Sequence, residues 1–101
     1  MAEYRLTPRA HKDLRAIAAY TLKIWGRNQV QTYLQRIADR MQWLADNPRR
    51  ARSREDVGDG YRCFREGQHL IFFIVKDDHI AIIGVPHSSM DIQANLGRKT
   101  P

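Results

Sequence analysis

Cysteine is almost missing from this chain. Cys63 stands alone in 101 residues, so no internal disulfide can form, and a reducing cytoplasm is the expected compartment. Long apolar runs are missing as well; none approaches the roughly 20 residues that span a bilayer. The N-terminus, Met1-Ala2-Glu3-Tyr4-Arg5, lacks the apolar stretch of a secretory leader. There are no repeats and no low-complexity segments. No Gly-rich phosphate loop or nucleophile elbow occurs. The four histidines, His11, His69, His79 and His87, are dispersed without metal-ligand spacing, so neither a metal nor another cofactor is expected. Asp56 with Asp59, and Asp77 with Asp78, fall in loop and turn contexts where aspartate serves the backbone. Paired-carboxylate catalysis is therefore not indicated.

Acid is also in short supply. Eleven Asp and Glu face seventeen Lys and Arg, for a net charge of +6. Such a surface attracts acidic partners, either nucleic acid or an acidic protein segment. Arg49, Arg50, Arg52 and Arg54 concentrate the charge in one stretch.

The length allows one domain with one core. Tyr4-Arg5-Leu6 reads as a short strand. Thr7-Pro8 then starts a helix, threonine as N-cap and proline at the first helical position. Ala10, Leu14, Ile17, Thr21 and Ile24 recur at helical spacing, with Ala18 and Trp25 widening the stripe. Gly26 ends the helix. Asn28 is the expected cap of a second helix, whose apolar face is Val30, Tyr33, Leu34, Ile37, Met41 and Leu44; Asn47-Pro48 stops it. The short Gly26-Arg27-Asn28 connection folds the two into an antiparallel hairpin. Residues 48–60 read as a loop. Three strands follow: Tyr61 to Arg65, His69 to Lys76 and His79 to Val85. The unbroken Leu70-Ile71-Phe72-Phe73-Ile74-Val75 predicts a central strand covered on both faces. Met90 to Leu96 suggests a last helical turn.

The order β-α-α-β-β-β gives an α+β fold, a helical hairpin on one face of a small, mainly antiparallel sheet. One domain over residues 1–96 and a tail over 97–101 are expected. Patterning leaves open which edge of the meander the first strand joins. The sheet face away from the hairpin must be covered by something else or remain open, and function is sought there.

Two further features suggest binding. Arg62 and Arg65 lie an odd number of positions apart on one strand and so point to opposite faces. With Arg49, Arg50, Arg52 and Arg54 they form a basic set suited to carboxylate or phosphate. Trp25, Tyr33 and Trp43 give the hairpin more aromatic surface than a small core needs.

Several fragments, in order, resemble the ParE toxins of bacterial toxin–antitoxin pairs: Tyr4-Arg5-Leu6-Thr7, Ala10, Asp13-Leu14, Ile17, Tyr20, Trp25-Gly26, Gln29, Leu44-Ala45-Asp46-Asn47-Pro48, Tyr61-Arg62, His69-Leu70-Ile71-Phe72-Phe73, and finally His87, Met90-Asp91 and Leu96. The resemblance implies the ParE/RelE toxin fold. It also implies a protein that poisons DNA gyrase and is neutralised by a ParD-like antitoxin. Acting by binding, such a toxin needs no catalytic residue. The expected antitoxin-binding residues are Trp25, Tyr33, Leu34 and Arg62. Arg49, Arg50, Arg52 and Arg54 would take an acidic C-terminal antitoxin segment, and His87, Met90 and Asp91 form the family's C-terminal motif. No membrane partner is expected, nor direct nucleic-acid binding.

The alternatives are a RelE-like, ribosome-dependent mRNA endoribonuclease and a stand-alone basic nucleic-acid-binding module. RelE relatives use Lys and Arg residues plus a C-terminal tyrosine or histidine. Here Ile80 to Val85 carries no basic residue, which leaves Arg62 and a general base at His87. The competing expectation for His87 is structural, its imidazole tied to a carbonyl or to Asp91.

Overall fold

The computed structural model describes residues 2–97. Strand β1 (Glu3–Leu6) leads into helix α1 (Pro8–Trp25) and helix α2 (Arg27–Asp46). A 3-10 turn (Pro48–Arg50) precedes the two-residue strand β2 (Arg52–Ser53). Strands β3 (Tyr61–Glu66), β4 (His69–Val75) and β5 (His79–Gly84) form the meander, and helix α3 (Ile92–Leu96) closes the described chain. No helix among the described residues is long and apolar enough to cross a membrane. Apart from Gly97, the expected tail lies outside those residues.

The start of α1 follows its sequence signal. Thr7 Oγ1 accepts from the Ala10 N–H at 3.2 Å. The same hydroxyl donates to the Ile82 carbonyl at 2.8 Å, so the cap also fastens the helix to β5. The start of α2 differs from expectation. Gly26, at φ +90°, is the whole connection, and no side chain caps the second helix. Asn28 is already inside α2, its carbonyl accepting from Thr32 Oγ1 at 3.0 Å. A positive φ costs glycine nothing, which lets the chain reverse within one residue.

The sheet order is β1-β5-β4-β3-β2. The edge left open by patterning is therefore β5, which β1 joins in parallel with Tyr4 opposite Ile80 and Leu6 opposite Ile82. The stretch 48–60 is not simply a loop, because Arg52 and Ser53 pair with Cys63 and Arg62 and add a fifth strand. Central β4 is covered on both faces. Phe72 and Phe73 are adjacent, point to opposite sides and are both completely buried.

Each face has its own apolar cluster. On the hairpin side Ile17, Ile37, Met41 and Leu44 meet Ile71, Phe73, Ile80 and Ile82. On the other, Val57 and Leu96 lie over Tyr61, Cys63 and Phe72, with Ile92 and Ile83 beside them. The second face is thus closed by the loop before β3 and by α3, and is not the open concave surface in which function was sought. Cys63 lies within it, where burial pushes its thiol up to about 11; that is an inert thiol at neutral pH.

Candidate functional site

The open surface lies on the hairpin side. A groove of about 640 Å³ runs between the helices and the ends of the strands. Helix α1 contributes Asp13, Ile17, Tyr20 and Trp25, and α2 contributes Gln29, Tyr33 and Arg36. The β3–β4 turn supplies Gly67, Gln68 and His69, and the segment after β5 supplies Val85, Pro86, His87 and Met90. Ile17 is buried, whereas Tyr20 and Trp25 further along are 66% and 69% exposed.

The polar end is built around Tyr33. Its hydroxyl lies 2.6 Å from His69 Nδ1 and 3.2 Å from the Glu66 carbonyl oxygen. It also accepts from the Gln68 N–H at 3.2 Å. Gly67 makes this approach possible. A Cβ there would fall 2.7 Å from the Tyr33 ring, and its φ of +59° suits glycine. Burial raises the Tyr33 hydroxyl above its usual range. Burial, with His87 close by, lowers the His69 imidazole to about 4, so it is neutral at pH 7.

The segment after β5 continues the sheet. The Leu70 N–H donates to the Pro86 carbonyl at 2.9 Å and the Ser88 N–H to the Gln68 carbonyl at 2.8 Å. This places the His69 and His87 rings edge to face, 5.3 Å apart. His87 Nδ1 accepts from the Ser89 N–H at 3.1 Å and lies 2.7 Å from Ser89 Oγ. A backbone N–H can only donate, so Nδ1 is the acceptor and the neutral ring carries its proton on Nε2. The tie expected for His87 is an imidazole N–H to a carbonyl or to Asp91; its Nδ1 meets Ser89 instead. Asp91 instead caps α3 by accepting from the Ala94 N–H at 3.2 Å. Met90 is 46% exposed and lines the groove, so it does not clamp the C-terminal segment to the sheet.

Beside the groove, buried Glu66 accepts from Arg36 Nη2 and Arg40 Nε, both at 2.9 Å. The Arg40 guanidinium lies 4.8 Å from the Trp43 ring centre and 4.9 Å from that of Phe64. Trp43 is thereby used in packing. Asp13 accepts from Arg9 Nε at 2.9 Å and from the Val85 N–H at 2.8 Å, which ties α1 to the end of β5.

Of the residues singled out from sequence, Trp25, Tyr33, His87 and Met90 meet in the groove. Leu34 packs against the hairpin-side core instead. Arg62 lies elsewhere, donating to the Ala51 carbonyl at 3.0 Å. Arg54 pairs with Asp56 at 2.9 Å, while Arg49, Arg50 and Arg52 are exposed. The basic set is therefore a rim along the β2 edge, separate from the groove. Sequence reasoning missed His69, Gln68 and Arg36 as site residues. Strand alternation says nothing of which groups a turn delivers to a helix.

The family model for the ParE toxin of the type II toxin-antitoxin system, parDE, matches residues 4–92. A curated ParE1 toxin of Caulobacter vibrioides is 34% identical over 96% of this chain and all of its own length. One of Mycobacterium tuberculosis is 31% identical over 94% of this chain and 98% of its own. Among solved structures, the chromosomal ParDE system of P. aeruginosa superposes with a TM-score of 0.73 at 21% identity, covering 86% of this chain and 96% of that one. The RelBE2 toxin–antitoxin complex of Mycobacterium tuberculosis gives 0.57 at 20%, covering 84% and 95%. With all of β1 but Glu3, the hairpin and the meander inside the matched span, the chain belongs to the ParE toxin family of type II toxin–antitoxin systems.

Proposed function

We propose that this chain is a cytoplasmic toxin that acts by binding, inhibits DNA gyrase and is neutralised by a ParD-like antitoxin. The carrying observation is the open groove with Trp25 69% exposed at its lip. An aromatic of that size beside a mostly apolar trough suits an amphipathic partner helix. Both solved relatives come from toxin–antitoxin assemblies, which favours an antitoxin as the occupant. Exposed Arg49, Arg50 and Arg52 are the docking rim for the antitoxin's acidic C-terminal segment, with Arg54 and Arg62 held behind them by their own partners.

Inhibition by binding is also what the chemistry favours. His87 Nδ1 is engaged by Ser89 of its own segment, Arg62 is spent on a carbonyl, and β5 carries no Lys or Arg. The test uses purified gyrase beside programmed ribosomes. Inhibited supercoiling with intact mRNA is the expected result. Cleaved mRNA with normal supercoiling would overturn the reading in favour of the endoribonuclease.

A further inference from the structure

The groove does not account for the whole exposed apolar surface of the hairpin. Leu22 and Ile24 are 53% and 50% exposed, yet neither lines the groove. Together with Tyr20 and Trp25 they spread over roughly 200° of the circumference of the last two turns of α1 at 100° per residue, an arc that also holds buried Thr21. A single partner helix needs a stripe of only about 100°. An antitoxin segment seated in the groove would therefore leave Leu22, the residue farthest round from Tyr20, bare. The vertex also projects, since a Cβ added at Gly26 would meet nothing within 4 Å.

The charge of this vertex is one-sided. No Asp or Glu occurs between Asp13 and Asp39, a stretch that contains Arg15, Lys23, Arg27 and Arg36. Arg36 is paired with Glu66. Lys23 and Arg27 have no ion pair among the described residues. Exposed apolar side chains flanked by unpaired cations fit an acidic surface with an apolar depression. A second copy of this chain is a poor fit, because it would set Lys23 and Arg27 against their like in a chain of net charge +6.

We infer that the hairpin vertex, Leu22, Lys23, Ile24 and Arg27, is the edge by which the toxin grips its target, and that the target offers it an acidic, apolar-floored surface. This rests on the gyrase reading above and adds the contact site. The target-binding and antitoxin-binding surfaces are then adjacent, with Trp25 at the border between them. Antitoxin seated in the groove would mask the vertex by bulk, without touching Leu22.

The experiment compares wild type, a Leu22→Ser/Ile24→Ser double variant and Lys23→Glu. Each is checked by thermal melting, titrated into a gyrase supercoiling assay, and titrated with ParD-like antitoxin by calorimetry. Both variants are expected to fold, to keep antitoxin affinity within about twofold, and to inhibit supercoiling at least tenfold less well. If the double variant fails to fold, Lys23→Glu alone decides the matter, since charge reversal at an exposed position leaves the core intact. Folded variants that inhibit like wild type would overturn the proposal. So would a loss of antitoxin affinity matching the loss of inhibition, which would make the vertex part of the antitoxin site. Unchanged inhibition together with loss of flotation on phosphatidylglycerol vesicles would reassign the vertex to an anionic lipid surface. A wild-type toxin that leaves gyrase untouched overturns the gyrase reading itself, a result distinguishable because it needs no variant.

Discussion

The first turns of α1 and its last two turns share one helical period and meet different surroundings. In the first, Ala10 and Ile17 are buried, Thr7 is bonded to β5 and Asp13 holds the Val85 N–H. In the last, Tyr20, Leu22, Ile24 and Trp25 are all at least half exposed. Helical period is the same throughout, so period does not separate them. What separates them is cover: Thr21 is the last buried residue of α1, and the four residues after it are exposed. The buried half serves the fold and the exposed half is left for a partner. An apolar stripe thus says which side of a helix seeks contact, but not whether the contact lies within the chain.

That division can be broken by substitution. Ile17→Ala, in the buried half, should lower stability by about 3 kcal/mol, through lost transfer free energy plus a cavity. In a domain of this size the midpoint of thermal unfolding should fall by more than about 10 °C, read by circular dichroism. An unchanged melting point would erase the distinction between the halves.

Trp25→Ala, in the exposed half, should leave the melting point within a degree or two. It should weaken antitoxin binding by about 2 kcal/mol, roughly 30-fold, measured by calorimetric titration. Unaltered affinity in a folded variant would remove Trp25 from the interface.

The floor between the halves should respond to acid. His69 falls from its ordinary 6.5 to about 4 in the folded chain because burial disfavours the cation. Between those values the unfolded chain binds more protons than the folded one. Stability contributed by the neutral ring is therefore full above pH 6.5 and drains away as the pH falls toward 4. The ring is only half-buried, so the effect is on the order of 1 kcal/mol after allowance for solvent screening. Denaturant melts across that window should show the slope in wild type, and His69→Gln should flatten it. A slope unaffected by His69→Gln would place the acid sensitivity elsewhere.

The smallest effect is expected at the basic rim, away from both halves. Association with an acidic antitoxin should slow by roughly threefold or more between 0.1 M and 1 M salt, as the Debye length shrinks from about 10 Å to about 3 Å. Arg49→Gln/Arg52→Gln should reduce that dependence. A rate flat across the range would leave these arginines as a solvated edge.

By itself the sequence determined the elements and their order. Thr7-Pro8 set the start of α1, Gly26 its end, and Asn47-Pro48 the end of α2. The apolar run from Leu70 to Val75 predicted a strand buried on both faces, as Phe72 and Phe73 are. These are local matters, decided by caps, backbone freedom and periodicity within a few residues. The tertiary structure decided everything that depends on which segment lies beside which. It put β1 parallel to β5, an edge no pattern in Tyr4-Arg5-Leu6 could specify, because a short strand with free edges fits either side. It drew Arg52 and Ser53 into the sheet and closed the second face with Val57 and Leu96. It set Tyr33, His69 and His87 side by side from positions tens of residues apart. It also moved Arg62 away from Trp25 and Tyr33. The groove is a gap between elements, lined by both helices, the β3–β4 turn and the segment after β5. Gaps of that kind follow from relative lengths and docking angles, which no single segment encodes.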